Sequence, residues 1–258
     1  MAKKVRFQAH RGVCSEYPEN TMAAYRAAVD QGYDIIEMDI KFTSDDVCVM
    51  LHDRTLNRTS RLNGQPLGQE PLPIDTITYA QCQEYDVGLW KGEQFAGERI
   101  PTLAETLAFV STQEIDCKID NVWETFPEAQ QDIFLDVAAQ ANLGGKLGVT
   151  CRKLDTLQKA AKRLPMAELH WDGDNDLETL ERVSAIAQGH KLTIWVCYEN
   201  SISSWFKGKR ASEELCDQVR RYGQVGLWLL VEHQEGVRAI QEFAADAIET
   251  NGQLKPIR

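Results

Sequence analysis

The sequence predicts an α/β fold in which parallel strands form a sheet and helices cover its outer surface. Three observations favour this class: short β-branched runs recur along the whole chain, helical patterns separate most of them, and no linker or low-complexity tract interrupts the alternation. With 258 residues, 43% of them hydrophobic, the chain could build either a closed eight-stranded barrel or a doubly wound sheet. We expect one domain over residues 1–258.

Nine runs are candidate strands, one more than a closed barrel needs. We expect the surplus run to be among those after residue 166, and the sequence does not say which. The candidate strands cover residues 5–9, 35–40, 47–51, 114–119, 146–151, 166–171, 192–197, 226–231 and 247–250.

Helical patterns fill most of the intervals between these runs. The first begins after Thr21, a good N-cap residue, and Gly32 is a suitable stop. The other predicted helices cover residues 103–110, 127–141, 153–163, 176–188, 211–222 and 235–244.

Two connections depart from the alternation. Residues 54–99 are rich in Asn, Gly, Gln and Pro, and a connection of this length inside a compact domain is usually functional, so we expect a small cap between the third and fourth strands. The interval between Asp39 and Val47 is too short for a helix. If the second and third strands are parallel neighbours, their crossover therefore lacks one.

The charge balance restricts the class of partner. Asp and Glu number 39 against 28 Lys and Arg, so the net charge is −11, which argues against a nucleic-acid binder or a polybasic membrane clamp. No apolar run approaches the roughly 18 residues of a membrane span. The seven cysteines are scattered singly, unlike a disulfide framework or a zinc site, and we expect a cytoplasmic protein. The oligomeric state stays open.

Charged side chains are out of place on two predicted strands. Glu37 and Asp39 are two residues apart and therefore share one strand face, as do Asp116 and Lys118. Carboxylates inside a barrel are costly unless they are paired or bind a metal, and hard oxygen ligands suit Mg²⁺ or Ca²⁺. Taken alone, either pair is explained better as part of a buried ion-pair cluster without a chemical role than as part of an active site.

Two histidines follow predicted strands directly. His10, with Arg11 beside it, ends the first strand, and His52 ends the run at 47–51. Active sites of parallel α/β folds lie at the carboxyl ends of the strands, so these side chains and the acids could converge there. Histidine exchanges protons near neutral pH, and Arg and Lys can neutralise an anionic substrate.

The order and spacing of several motifs resemble the glycerophosphodiester phosphodiesterase family. The resemblance covers roughly the first quarter of the chain, continues through Ile100-Pro-Thr-Leu-Ala-Glu105 and Asp116-x-Lys118, and weakens after residue 120. Its motifs are His10-Arg11-Gly12, Pro18-Glu-Asn-Thr21, Glu37-x-Asp39, Thr43-x-Asp45, His52-Asp53 and Asn57-Arg-Thr59.

This resemblance implies a (β/α)₈ TIM barrel that cleaves glycerophosphodiesters to glycerol 3-phosphate and an alcohol. It implies one divalent cation, Mg²⁺ or Ca²⁺, and a pair of histidines that move protons. We expect the substrate-binding set to comprise Arg11, Lys118, Glu19 and Trp195. Within and beside it, Glu19 and Asp53 orient Arg11 and the histidines, and Trp195 rather than Trp228 is the late tryptophan of the family. The implied metal ligands are Glu37, Asp39 and Asp116, and the implied catalytic histidines are His10 and His52.

The chain departs from the family pattern at two places. Asp116 replaces the usual Glu, although the related sphingomyelinase D group has Asp there, and Thr250-Asn-Gly252 replaces the common Thr-Asp-x-Pro. Two alternatives therefore stay open. One is a phospholipase D-like enzyme acting on lysophospholipids or sphingolipids, and the other is a metal- or ligand-binding barrel without turnover.

Overall fold

The computed structural model describes residues 4–257 and contains a closed barrel of eight parallel strands. The strands are β1 (Arg6–Ala9), β2 (Ile35–Met38), β3 (Ile40–Phe42), β4 (Cys48–Met50), β5 (Arg61–Leu62), β6 (Gln65–Pro66), β7 (Asp116–Ile119), β8 (Leu147–Cys151), β9 (Glu168–Trp171), β10 (Leu192–Cys197), β11 (Gln224–Leu230) and β12 (Ala247–Thr250). Strands β1, β2 and β7–β12 form the barrel, in the order β1-β12-β11-β10-β9-β8-β7-β2. The predicted TIM barrel is confirmed.

Each predicted helix forms, with ends shifted by at most a few residues, and one short helix inside the excursion, at Tyr79–Cys82, was not predicted. Thr21 accepts a hydrogen bond from the backbone N–H of Ala24 and caps the first helix, and Gly32, at φ 75°, follows its end. None of the helices within residues 4–257 has the length and apolar character needed to cross a membrane. The helices are α1 (Met22–Asp30), α2 (Tyr79–Cys82), α3 (Leu103–Ser111), α4 (Glu128–Gln140), α5 (Leu154–Arg163), α6 (Leu177–Ile186), α7 (Glu213–Arg220) and α8 (His233–Gln241).

The surplus ninth strand is the run at 47–51, and the expectation that it follows residue 166 is wrong. β4 pairs antiparallel with β3 in a hairpin outside the barrel. The chain reverses at Asp46, whose φ is 57°, and Thr43 closes the turn by donating its backbone N–H to the carbonyl of Val47. The predicted crossover without a helix is therefore a hairpin, and the long excursion lies between the second and third barrel strands instead of the third and fourth.

The excursion, which we call the cap (residues 40–100), has a small hydrophobic core of its own, and its first hairpin also contributes Ile40, Phe42, Cys48 and Met50 to the main core. The cap contacts the segment after β1 at several points: Lys91 donates to the carbonyl oxygen of Cys14 at 2.6 Å, and the rings of Phe95 and Tyr17 lie 5.3 Å apart. These contacts hold the cap beside the carboxyl end of the barrel. The buried residues of its core are Val49, Leu51, Leu56, Ile74, Cys82, Val87 and Ile100.

The barrel interior is polar at both ends. At the amino end, the Arg6 guanidinium donates to both carboxylate oxygens of Glu168, at 2.8 and 2.5 Å. Near the carboxyl end, Lys118 donates to Glu249 at 3.1 Å, and both side chains are buried. The alternate strand residues, such as Phe7 and Ile36, are apolar and belong to the main hydrophobic core.

Candidate active site

The carboxyl ends of the barrel strands surround a cavity of about 280 Å³. Every sequence-predicted site residue lines it except Glu19, Asp53 and Asp116. Most of the other lining residues were not predicted from the sequence. The lining residues are His10, Arg11, Glu37, Asp39, His52, Lys118, Asp120, Asn121, Arg152, Asp172, Trp195, Trp205, Phe206, Trp228 and Glu249.

A sharp turn after β1 shapes one wall. Arg11 and Gly12 both have positive φ, 55° and 78°, and a Cβ on Gly12 would lie 2.7 Å from the Cβ of Ala24. Glycine is therefore required beside Arg11. The turn directs the Arg11 backbone N–H to the Glu37 carboxylate at 2.8 Å.

The acids Glu37 and Asp39 lie on one face, as predicted, and both are buried. Asn20 donates to Asp39 at 2.8 Å, and the Arg11 Nε lies 3.3 Å from the same carboxylate. Burial acts to raise the pKa of Asp39, but the positive charge of Arg11, the nearby histidines and the hydrogen bond from Asn20 together outweigh it, and the pKa is lowered. The pKa of Glu37 is raised well above its usual value by burial and by the neighbouring charge of Asp39.

Asp116 does not join these acids, and its predicted placement beside them is wrong. It is the first residue of β7, its side chain is 34% exposed, and Arg6 Nη1 lies 3.7 Å from its carboxylate at the amino end of the barrel. The shared inward face is as predicted, but Asp116 pairs with Ile35 whereas Lys118 pairs with Glu37. Asp116 therefore lies about 7 Å below that level along the strand.

Asp120, one residue beyond the end of β7, lines the cavity in its place. Its backbone N–H donates to the Met38 carbonyl at 2.9 Å, which fixes the chain there. Shielding from water and the charge of Asp39 raise the pKa of Asp120. Extending the alternation of Asp116 and Lys118 by two residues would have found it.

Lys118 reaches the cavity and pairs with Glu249, the inward residue of the last barrel strand. Burial lowers the pKa of Lys118, but the negative charges of Glu249 and Glu37 outweigh it and raise the pKa. Gln8 donates to the Glu249 carboxylate as well. Glu249 was missed by the sequence analysis, although an acid among the strand residues of 247–250 carries the same signal as Glu37 does.

Both predicted histidines have one ring nitrogen held by a neighbour. His10 Nδ1 lies 2.6 Å from the amide oxygen of Asn251, and His52 Nδ1 lies 2.7 Å from the carboxylate of Asp53. Each ring therefore keeps Nε2 for other partners, and His10 Nε2 is 3.9 Å from Glu37. Burial acts to lower the pKa of His10, but a hydrogen bond with Cys14 and the charge of Glu249 raise it to about 9.

The residues expected to orient this machinery form one ion-pair network. Arg58 of the cap donates to Glu19 at 2.6 and 2.8 Å and to Asp53 at 2.7 and 3.0 Å. Arg11 donates to Glu19 at 3.2 Å. Glu19, which the sequence placed in the substrate-binding set, is thus occupied by two arginines beneath the cavity lining.

An aromatic wall, formed by Trp205, Phe206 and Trp228, borders the cavity. The Trp205 ring is 5.9 Å from Trp228 and nearly parallel to it, and Phe206 meets Trp228 edge-on at 5.2 Å. Trp205 is 68% exposed. The wall continues into a second cavity of about 670 Å³ that also adjoins Trp195. Trp205 and Phe206 lie on an irregular connection without periodicity, so no sequence pattern indicated them.

The described residues 4–257 hold no group of three or more His, Cys, Asp or Glu side chains already arranged to bind a metal ion. Positive charge reaches the cavity from Arg11, Lys118 and Arg152. A further acid, Asp172, has its pKa raised to about 7 by burial and by the charge of Asp120. The cavity therefore combines proton-transfer groups with fixed charges of both signs.

Comparison with known proteins agrees with this geometry. A glycerophosphodiester phosphodiesterase of Caldanaerobacter subterraneus is 38% identical in sequence over 112 residues, which cover 43% of this chain and 43% of the relative. This chain therefore spans less than half the length of that relative. Among solved structures, an Oleispira antarctica phosphodiesterase in complex with the product sn-glycerol-3-phosphate superposes with a TM-score of 0.74 at 21% identity, covering 96% of this chain and 93% of that one.

A glycerophosphodiester phosphodiesterase from Agrobacterium tumefaciens superposes with a TM-score of 0.69 at 18% identity, covering 98% of this chain and 100% of that one. At these identities the two structures show the shared fold. The family profile described as "Glycerophosphoryl diester phosphodiesterase family" matches residues 10–251, a range that includes both histidines and almost the whole barrel. This chain belongs to the glycerophosphoryl diester phosphodiesterase family.

Proposed function

We propose that this chain hydrolyses glycerophosphodiesters to glycerol 3-phosphate and an alcohol. The observation that carries the proposal is the presence of His10 and His52 in one cavity with Arg11 and Lys118. Each histidine is oriented through Nδ1, so Nε2 is the nitrogen for proton transfer. The similarity to the Caldanaerobacter glycerophosphodiester phosphodiesterase and to the Oleispira phosphodiesterase that binds sn-glycerol-3-phosphate supports this assignment.

The chain's own residues supply three elements that phosphodiester cleavage needs. Arg11 and Lys118 neutralise the non-bridging oxygens, whose charge grows as the reaction proceeds. One histidine takes the proton of the attacking group as its oxygen bonds to phosphorus. The attacking group is either water, which gives glycerol 3-phosphate directly, or a substrate hydroxyl, which gives a cyclic phosphodiester that water then opens. The other gives a proton to the leaving oxygen as the ester P–O bond breaks.

A divalent cation fits the donor chemistry of the cavity, and we propose that Glu37, Asp39 and Asp120 hold it. All three are hard oxygen donors suited to Mg²⁺ or Ca²⁺, and the charge of Asp39 raises the pKa of the other two, a repulsion that a cation relieves. Arg11 and Asn20 both contact Oδ2 of Asp39, so Oδ1 is the oxygen that we assign to the metal. When bound, the cation supplies Lewis-acid stabilisation of a phosphoryl oxygen.

We assign the alcohol portion of the substrate to the aromatic wall and the second cavity. Indole and phenyl faces bind apolar or cationic groups, and the acids around the second cavity include Asp172.

Asp116 was the feature of the sequence that favoured a phospholipase D-like enzyme. Its position at the other end of the barrel removes that support. The seven free cysteines support a reducing compartment and hence the cytoplasm.

The test is a substrate panel with product analysis. The substrates are glycerophosphocholine, glycerophosphoethanolamine, glycerophosphoglycerol and lysophosphatidylcholine, each with Mg²⁺, Ca²⁺ or Mn²⁺ and with excess chelator. We expect glycerol 3-phosphate from the first three and loss of turnover in chelator. Lysophosphatidic acid as the main product would support the phospholipase D-like alternative, and metal binding without turnover would support a non-catalytic barrel.

A further inference from the structure

His170 is a buried titratable residue that the proposed reaction does not use. It lies on β9 inside the barrel and is 1% exposed. The indole N–H of Trp195 donates to His170 Nδ1 at 3.0 Å, and the two rings are inclined by only 23°, the geometry of a hydrogen bond in the plane of both rings. Because Nδ1 accepts, the imidazole proton is on Nε2, which lies 3.7 Å from Glu168.

Several features keep the imidazole neutral and in place. Burial lowers the pKa of His170 to about 3; the negative charge of Glu168 opposes this shift, and the positive charge of Lys118 adds to it. Arg6 and Lys191, which also face the ring, act in the same direction as Lys118. At neutral pH the imidazole is therefore uncharged, and Nδ1 accepts the hydrogen bond from the indole.

A glycine in the neighbouring strand, Gly148, makes room for the His170 ring because it has no side chain. A Cβ on Gly148 of β8 would lie 2.5 Å from His170 Nε2. A side chain at residue 148 would displace the imidazole from its position beside Trp195.

Trp195 in turn supports the cation of the active site. The Lys118 Nζ lies 4.5 Å from the centre of the Trp195 ring, within the range of a cation–π contact, while it also donates to Glu249. The hydrogen bond that the indole N–H donates to His170 fixes the rotation of the indole, and the indole face fixes the height of the ammonium group in the cavity.

We propose that His170 is a positioning residue that acts through Trp195 on Lys118 and so sets the affinity of the cavity for the phosphoryl group. The proposal rests on the proposed function at one point only, namely that Lys118 binds the phosphoryl oxygens of the substrate. It assigns Trp195 a second task besides lining the substrate cavity, which is to act as the platform beneath a catalytic cation.

The test compares substitutions that keep or remove the acceptor. Asn places an oxygen where His has Nδ1, so His170→Asn keeps a partner for the indole; His170→Phe removes it, and His170→Gln moves the oxygen to the position of Nε2. We expect His170→Phe to raise KM, and to weaken binding of sn-glycerol 3-phosphate, by about tenfold, with kcat changed less than KM. His170→Asn should stay within about twofold of wild type.

A double substitution tests the route through the indole. Trp195→Phe keeps an aromatic platform and has no N–H, so adding His170→Phe to it should cost little more than Trp195→Phe alone. Additive losses of product affinity would overturn the proposal. So would equal affinity of the Asn and Phe variants. If His170→Phe does not fold, as judged by circular dichroism, the Gln and Asn variants make the same comparison.

A third measurement does not depend on turnover. In a protein labelled with ¹⁵N-indole, the Trp195 signal, assigned as the one lost in Trp195→Phe, should move on His170→Phe and stay in place on His170→Asn. An unmoved signal refutes the hydrogen bond itself. Wild-type protein that binds sn-glycerol 3-phosphate and shows the expected shifts, yet cleaves no diester, would refute the proposed function and leave the positioning role intact.

Discussion

Asp116 and Asp120 provide a direct test of the proposed metal site, because both carboxylates belong to the same segment and only Asp120 lines the cavity. We expect Asp120→Asn to weaken the affinity for Mg²⁺ or Ca²⁺ and to lower kcat/KM, since it removes a charged oxygen ligand. We expect Asp116→Asn to leave both quantities close to wild type. The two substitutions are chemically identical and serve as each other's control.

The size of each effect follows from position along the strand. Four residues separate the two acids, which is about 13 Å at roughly 3.3 Å per residue. Exposed charges at that distance are largely screened at physiological ionic strength, so Asp116→Asn should change metal affinity by less than about twofold. Loss of even an indirect partner of a metal site costs about 10- to 100-fold, so the loss of Asp120 should cost at least tenfold.

The assay is titration calorimetry of each metal into wild type and the two variants, followed by steady-state kinetics at saturating metal. Thermal unfolding in chelator checks that both variants are folded; the partly exposed Asp116–Arg6 pair should contribute at most about 1 kcal/mol. The reasoning fails if Asp116→Asn weakens metal binding as much as Asp120→Asn does. It fails equally if Asp120→Asn binds metal normally.

Three further predictions concern the walls of the cavity. Substitution of His10 or His52 by Ala should lower kcat by about 10²- to 10⁴-fold with the fold intact by circular dichroism; a variant with wild-type kcat would show that its histidine is not a proton-transfer group. Gly12→Ala should destabilise the fold by about 1–3 kcal/mol in urea unfolding, because its φ is 78° and its Cβ would meet Ala24; an unchanged midpoint would contradict the strain. The pKa of Asp53 is lowered from 3.8 to about 2, because its hydrogen bonds to arginine and histidine outweigh the effect of burial. The ionised Asp53 carboxylate therefore stabilises the fold above about pH 4, and this contribution is lost as the pH falls towards 2. Asp53→Asn should flatten the dependence of unfolding free energy on pH in that interval, and a dependence as steep as that of wild type would contradict this.

The sequence predicted the barrel and the identity of most site residues because both depend on local patterns. Alternation places Glu37 and Asp39 on one face whatever the rest of the chain does, and a histidine directly after a strand lies at its carboxyl end. The same logic assigned Asp116 to the inward face correctly. Alternation gives the side of a strand but not the height of a residue within the barrel.

The height of a residue along the barrel axis depends on the pairing register between strands that are distant in sequence. The pairing of Lys118 with Glu37 leaves Asp116 level with Ile35, and no local signal encodes that choice. The run at 47–51 was misplaced for a related reason. Its composition suits a buried strand, and only the tight turn at 43–47 distinguishes an antiparallel hairpin from a parallel barrel strand.

Because the cap has a small core of its own, activity depends on the folding of the cap as well as on the folding of the barrel. His52, Asp53 and Arg58 stand on a segment that packs around its own small cluster, whereas His10, Arg11 and Lys118 stand on the barrel. Small cores open at a lower free energy than large ones, so we expect residues 51–100 of the cap to open locally while the barrel and the hairpin packed on it remain folded. On heating, activity should therefore disappear before the far-ultraviolet signal of the barrel does, and hydrogen exchange should be faster in residues 51–100 than in the barrel strands.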